Sequence, residues 1–242
     1  MIIQINKPPV WEKIVCPEQI RILATHKAYC GMQGYNLYEQ TNGQQSAVIS
    51  LLDDTAVIYG DPCDIEELKS FLRMMSSNVF CDAQTAQLLK IAVHKRVNIM
   101  KRQGTQQKCE LCGLPPFSTK QIHAALKQGE DGDIKAGDYE PFAADFSLRW
   151  RRGVAYGVLL EDKACAVSFN VLDDDAFING VAVKSNLRGT GLGKQAVLQF
   201  CQNLGHRNVY VGCTDRVIGF YKSMGFLKVG DSVYGAPQQE IL

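Results

Sequence analysis

One short match recurring at long range constrains this chain more than any other feature. Asn78-Val79-Phe80 and Asn208-Val209-Tyr210 lie 130 residues apart (208 − 78). At that offset two helical patterns and a final strand coincide without a gap. In the first half, Asp64–Met75 predicts a helix carrying Ile65, Leu68, Phe71, Leu72 and Met75 on one face. The strand Val79–Cys81, a helix over Ala83–Ala92 and the strand Val97–Met100 follow. In the second half, Lys194–Leu204 predicts a helix burying Ala196, Val197, Phe200, Cys201 and Leu204. The strand Val209–Cys213, a helix over Arg216–Met224 and the strand Phe226–Val229 follow it. Strands over Ala47–Leu52 and Thr55–Tyr59 precede the first set. Val154–Leu160, Ala164–Val171 and Ala176–Val183 precede the second, with Glu161-Asp162-Lys163 as a hairpin connection and Asp173-Asp174-Asp175 as a solvated turn. Pattern carries this weak repeat more than identity does. The offset is close to half of 242 residues, so the chain reads as one mixed helix-and-strand fold used twice. The expected domains are 1–105 and 118–242, joined by a linker over 106–117.

The junction supports that division. From Lys101 to Phe117 the period is lost, and Pro115-Pro116 excludes regular structure. A helix resumes after Ser118, a good N-cap, and stops at Gly129; the polar stretch Glu130–Asp138 comes next. Composition then removes several classes. Twenty-six Lys and Arg against 25 acids leave a formal charge of +1, which argues against a nucleic-acid coat. No run approaches the roughly 18 apolar residues of a membrane span, and polar residues and prolines near Met1 do not suit a signal peptide. Nine scattered cysteines, an odd count, fit buried thiols of a reduced, cytoplasmic protein.

Chemistry concentrates in Val181-Ala-Val-Lys-Ser-Asn-Leu-Arg-Gly-Thr-Gly-Leu-Gly-Lys194, a strand, a turn, spaced glycines and a helix. N–H groups of a first helical turn have no intrahelical partner and stand at the positive end of the dipole. Glycines let the backbone close on an anion, so this loop suits phosphate or diphosphate. The nucleotide P-loop fails, because Arg188 stands where its first glycine belongs and Gln195 follows Lys194. The dinucleotide fingerprint lacks a correctly placed third glycine and an early strand-helix-strand unit.

Val181-Ala-Val followed by Arg188-Gly-Thr-Gly-Leu-Gly193 resembles motif A of the GNAT acyltransferase superfamily. Phe220-Tyr-Lys-Ser-Met-Gly-Phe226 resembles its motif B, in the right order and at the usual separation. The resemblance covers roughly residues 149–234 well, and the first half only through the repeat. It implies an α/β (α+β) chain of two GNAT-like domains, each a mixed, mostly antiparallel sheet flanked by helices, with the N-terminal copy degenerate.

It also implies acetyl-CoA as co-substrate and an N-acetyltransferase acting on a primary amine by direct attack in a ternary complex. Val181, Ala182 and Val183 would run beside the pantetheine arm. Backbone N–H groups from Arg188 through Gly189, Thr190, Gly191, Leu192 and Gly193 to Lys194 would hold the diphosphate. Thr214 and Phe220 complete the expected cofactor contacts, Phe220 as a packing residue. Tyr221 matches the family tyrosine that gives a proton to the departing thiolate, since a phenol with reference pKa near 10 stays protonated at neutral pH. No metal is expected. The expected partner is a small-molecule or peptide amine, with neither nucleic acid nor membrane involved and a homodimer left open.

Two positions depart from the family. Thr214 replaces a frequent asparagine, and its hydroxyl could cap the following helix. The strand Ala176–Val183 holds no glutamate to serve as base, so deprotonation would run through ordered water, helped by Asp175 or another carboxylate. A CoA-binding regulatory or interaction protein with weak or no turnover is therefore the alternative.

At the 130-residue offset the loop falls on Ile58-Tyr-Gly-Asp-Pro-Cys-Asp64, where two carboxylates would repel a diphosphate and Pro62 offers no N–H. Tyr221 falls on Ile91. The first copy thus reads as a non-catalytic partner without a cofactor site. Cys109-Glu-Leu-Cys112 is half a zinc site, which His123 or Cys81 could only extend, and Arg149-Trp-Arg-Arg152 reads as solvated residues leading into a strand.

Overall fold

The computed structural model describes residues 1–107, 117–129 and 136–238. Its strands and helices run β1 (Ile2–Gln4), α1 (Pro17–Tyr29), β2 (Tyr35–Thr41), β3 (Ser46–Leu52), β4 (Thr55–Gly60), α2 (Ile65–Met75), β5 (Asn78–Asp82), α3 (Ala83–Leu88) and β6 (Ala92–Arg102). They continue with α4 (Thr119–Gln128), α5 (Tyr139–Arg151), β7 (Tyr156–Leu160), β8 (Ala164–Val171), β9 (Asp175–Val183), α6 (Leu192–Leu204), β10 (Asn208–Cys213), α7 (Ile218–Lys222) and β11 (Leu227–Ala236).

Two compact units result. One gathers the described residues of Met1–Ile99, Gly212–Ile218 and Lys228–Leu242; the other gathers those of Met100–Val211 and Gly219–Leu227. The first has strand order β1-β2-β3-β4-β5-β11-β6, antiparallel from β1 to β4, parallel at β4–β5 and antiparallel at β5–β11. The second has the order β10-β9-β8-β7, antiparallel except for the parallel pair β9–β10. Each unit is a mixed, mostly antiparallel sheet flanked by helices. In each, an antiparallel run leads into a parallel pair joined by one helix, β4-α2-β5 and β9-α6-β10. The internal repeat is real at this level.

Local chemistry explains most element ends. Ser118 and Gln121 form a reciprocal capping box at the start of α4, and Gly129 closes it. Asp64 caps α2 by accepting from the Glu67 N–H at 3.0 Å. Glu161 and Asp162 both take positive φ (47° and 56°), as the two central residues of the tight β7–β8 hairpin turn require; Asp tolerates that conformation better than most side chains, and Glu161 carries the ordinary Cβ cost.

Some expected elements change. The helix expected over Ala83–Ala92 stops at Leu88, because Lys90 turns left-handed (φ 53°) and the chain enters β6 at Ala92. That over Arg216–Met224 is a short 3₁₀ turn followed by the five-residue α7. Helix α5 was missed: Arg149-Trp-Arg-Arg152 does not lead solvated into a strand. Arg149 is buried, donating to Asp145 at 2.6 Å and to the Phe169 carbonyl at 3.0 Å. Asp145 and Arg149 are one helical turn apart, a signal the sequence did offer.

The second unit's core joins Ile122, Leu126 and Phe146 to Cys165, Val167 and Ala182. Phe146 is fully buried and stacks on Phe142 with centroids 5.7 Å apart; truncating it to alanine would cost about 3–5 kcal/mol. In the first unit, Leu68 and Leu72 of α2 pack on Ile49, Ile58, Val79 and Cys81, as their helical spacing requires.

Candidate functional site

The loop's geometry starts with the strand before it. β9 pairs with β10 from Asp175↔Asn208 to Ile178↔Val211, so among the described residues Asn179–Val183 run on without a ladder partner on that side. The opposite edge explains why. The register with β8 slips between Val167/Ser168 and between Ser168/Asn170, leaving Asn179 and Phe169 as extra residues. Asn179 Oδ1 accepts from the Phe169 N–H at 2.7 Å and from Asn170 Nδ2 at 3.0 Å, replacing the ladder bond that the bulge removes. Asn179 thereby holds the strand edge in position.

Beyond Val183 the chain makes a 3₁₀ turn over Ser185–Leu187 and reaches Gly191, the N-cap of α6. The helix begins two residues earlier than expected. Gly189 and Gly191 have φ of 80° and 90°, values a side chain rarely adopts. No side chain caps α6, and its first intrahelical bond runs from Gln195 N to Gly191 O. The N–H groups of Leu192, Gly193 and Lys194 therefore have no intrahelical acceptor and stand at the positive end of a 13-residue helix. The N–H groups of Arg188 and Thr190 are already used, in long 3.4 Å turn bonds to Ser185 and Leu187.

Gly193 has a different reason. It is buried, and a Cβ there would lie 3.0 Å from Val183 Cγ2 and 3.6 Å from the Phe220 ring. The missing side chain lets α6 close onto β9 beside Phe220. Arg188 Nη2 donates 2.9 Å to the Gly129 carbonyl at the C-terminal end of α4, where a cation also meets the negative end of the dipole. Its side chain thus braces the loop.

Tyr221 lies in α7, buried to 6% exposure, its ring edge-on to both Phe220 and Phe226. Thr214 sits at the N-cap of the 3₁₀ turn over Asp215–Val217, but its hydroxyl makes no cap bond there; its carbonyl accepts from Val217 N at 3.1 Å. The expectation that the hydroxyl caps this helix is corrected. Thr214 and Tyr221 fall in different units, Thr214 in the first and Tyr221 in the second.

Asp175 is not part of a solvated turn. It is buried at the start of β9, accepts from Asn208 Nδ2 at 3.0 Å, and burial pushes its carboxyl above the usual range. Eight residues of strand, about 26 Å, separate it from Val183. Asp175 sits in the stretch of β9 that is paired with β10, before the open edge begins at Asn179, and its carboxyl is held by Asn208.

The first unit holds the same helix N-terminus in a closed form. Its paired strand starts, Thr55 with Asn78, are 23 residues apart (78 − 55), against 33 for Asp175 with Asn208 (208 − 175). The first copy is ten residues shorter across this connection, so Ile58–Gly60, which the sequence offset set against Arg188–Thr190, are strand residues of β4. Gln40 fills the space. Fully buried, it accepts from Cys63 N (3.1 Å) and Asp64 N (3.3 Å) through Oε1, while Nε2 donates to the Asp64 carbonyl and to Glu67, both at 2.8 Å. The anion seat is occupied by the protein's own amide and carboxylates.

Cysteine burial is uneven. Cys81, Cys165, Cys201 and Cys213 are buried, and desolvation raises all four thiols, Cys165 to about 12 and Cys213 to about 11, so they pack rather than ionise. Cys109 and Cys112 lie outside the described residues. His123 sits buried between Tyr139 and Phe142, with Nε2 3.2 Å from the Gly137 carbonyl. Among the described residues no group of three or more His, Cys, Asp or Glu could hold a metal, and no helix is long and apolar enough to cross a membrane.

Comparison with known proteins gives one family match and several structural likenesses. Residues 125–226 match the family model described as "Acetyltransferase (GNAT) family". Among solved structures, the chain is similar to a GCN5-related N-acetyltransferase from Kribbella flavida, with TM-score 0.53 and 18% identity over 81% of this chain and 88% of that one. It is similar to a tandem GNAT protein from the clavulanic acid biosynthesis pathway, with TM-score 0.54 and 11% identity over 94% and 90%. A third likeness is a GCN5-related N-acetyltransferase from Sphaerobacter thermophilus, with TM-score 0.54 and 14% identity over 91% and 86%. No curated protein sequence matches the chain. At these identities the structural likeness speaks for the fold.

Proposed function

From the premise that residues 125–226 form a domain of the acetyltransferase (GNAT) family, within a chain of tandem GNAT fold, we propose that this protein transfers an acetyl group from acetyl-CoA to a primary amine. One observation carries the reading: the uncapped first turn of α6 follows, after one short loop, a strand edge, Asn179–Val183, with no ladder partner on its β10 side among the described residues. The donor set fits the co-substrate at both points. N–H groups of Leu192, Gly193 and Lys194 would donate to a diphosphate, and the Val181–Val183 edge would receive the amide groups of a pantetheine arm as an added strand.

Acetyl-CoA would bring a thioester whose carbonyl an amine can attack directly in the ternary complex. The chain's own residues do the rest. Tyr221 would hold a proton at its phenolic oxygen for the departing sulfur, shielded from water by Phe220 and Phe226. Arg188 and Asn179 would keep the loop and the strand edge in place before binding. The acceptor would be a small molecule or peptide carrying a free amine, in a cytoplasmic setting.

A second reading is favoured by one specific observation: β9 carries no glutamate, and its lone carboxylate, Asp175, is buried and bonded to Asn208 within the paired part of the strand. On that reading the protein binds CoA and regulates or docks without turnover. Thiol release from acetyl-CoA with a broad panel of amines separates the two. Turnover with any amine supports the transferase; binding of CoA with no turnover across the panel supports the regulator.

A further inference from the structure

The first unit carries a cationic groove that the acyl-transfer reading does not use. One lobe, about 220 Å³, is floored by Leu72, Leu89, Ile91 and Pro237 and edged by Lys69, Arg73 and Lys90. A second lobe, about 370 Å³, is floored by Ala83, Ala86, Val93 and Val233 and edged by Lys90 and Arg96. Lys90, Ile91 and Gln238 line both, so the lobes meet at Lys90.

Charge in the groove is unbalanced. Glu66 is the one carboxylate among the described lining residues, and Lys69 takes it at 2.7 Å. Lys69, Arg73 and Lys90 together hold its carboxyl below the usual range. Arg73 spends its Nε on the Gln238 carbonyl at 2.9 Å, and among the described residues neither Lys90 nor Arg96 forms an ion pair. Lys90 and Arg96 therefore stand without an acid partner among the described residues.

Lys90 is also an unusual residue for its position. Ile91 N donates to Ala86 O and Lys90 N to Gln87 O, the two bonds of a Schellman motif closing α3. The left-handed position of that motif belongs by preference to glycine, which carries no Cβ penalty. Here a lysine holds φ of 53° and sends its side chain to the junction of two cavities. A strained backbone retained beside a cavity points to the side chain as the reason.

We propose that this two-lobed groove binds a small amphipathic organic anion, its carboxylate or phosphate head against Lys90 and its apolar body along Leu89 and Ile91. No aromatic ring lines either lobe, so an aliphatic body fits better than a stacked base. The site is independent of the acyl-transfer reading, since it lies wholly on residues of the first unit.

Calorimetric titration of the full chain tests it, with octanoate and octyl phosphate as probes and inorganic phosphate and octanol as head-only and tail-only controls. One or both amphipaths should saturate at one per chain, at least tenfold more tightly than either control; the tighter of the two identifies the head group. Lys90→Gly should weaken that binding tenfold or more while keeping or raising Tm, because glycine accepts the left-handed backbone. Lys90→Arg should retain binding, and Gly191→Asp in the other unit should leave it unchanged. The proposal is overturned if neither amphipath saturates, if inorganic phosphate binds as tightly, if Lys90→Gly binds like the wild type, or if Gly191→Asp abolishes binding.

Discussion

The guanidinium of Arg188 and the carbonyl of Gly129 meet at 2.9 Å, joining the glycine loop to the C-terminal end of α4 across 59 residues of chain. Arg188 stands where the family motif has its basic residue, yet its side chain is committed to the protein. Arg188→Ala should therefore lower stability by about 1 kcal/mol, the scale of one charge-assisted bond at a partly exposed site. Acetyl-CoA affinity should fall with it, because the loop loses its brace. Thermal unfolding with and without acetyl-CoA measures both, and an unchanged ligand-induced shift would remove the bracing role.

Gly191→Asp separates folding from binding. A carboxylate at the N-cap of α6 can accept from the first-turn N–H groups, offsetting part of the strain at φ 90°. The same carboxylate takes the diphosphate's place and repels it. A folded protein that has lost at least a hundredfold in acetyl-CoA affinity is the expected result; wild-type affinity would refute the cradle.

Tyr221→Phe should spare the packing against Phe220 and Phe226 and remove only the hydroxyl. If that hydroxyl gives the proton, kcat falls about a hundredfold with acetyl-CoA affinity nearly unchanged. Equal turnover in the variant assigns Tyr221 to packing alone.

Gln40 predicts stoichiometry. With the first unit's helix N-terminus filled by its amide, the full chain should bind one acetyl-CoA, not two. Gln40→Ala should cost about 1–2 kcal/mol, since the partly buried N–H groups of Cys63 and Asp64 lose their acceptor. Two equivalent sites by calorimetry would contradict the plugged seat.

The buried carboxyl of Glu18 predicts a pH dependence. Burial raises it above its ordinary 4.5 despite a 2.6 Å bond donated by Ser232, with Cys16 beside it and Asp82 adding to the rise. A carboxyl with a raised folded pKa holds its proton more tightly in the native state. That stabilisation is complete below the unfolded value and disappears as pH climbs through the folded one. Stability should thus decline above about pH 4.5, and Glu18→Gln should flatten the decline in Tm. A slope identical in the variant would locate the effect elsewhere.

Much of the fold was legible because its signals are local. Ser118, Gln121 and Gly129 bound α4 within one short stretch, and the apolar faces of α2 and α6 are those that the helical period picks out. Helix α5 was obscured by a surface-like cluster, Arg149-Trp-Arg-Arg152, whose first member folds inward onto Asp145. The loop was legible for the same reason as α4: its glycines set their own backbone.

What the chain determined by itself is the helix N-terminus, present in both copies, with its unpaired N–H groups and its dipole. Asp61, Pro62 and Asp64 already mark the first copy as closed in the sequence; the tertiary structure decided what fills it. Gln40 lies 24 residues from Asp64, in a strand whose pattern says nothing about a helix start, and closes one seat. Arg188, read as part of a ligand cradle, is held by a carbonyl 59 residues away and keeps the other seat in shape. Hydrogen-bond partners of this kind are set by where the chain returns, which no local pattern encodes, whereas dihedral preference and capping act within a few residues.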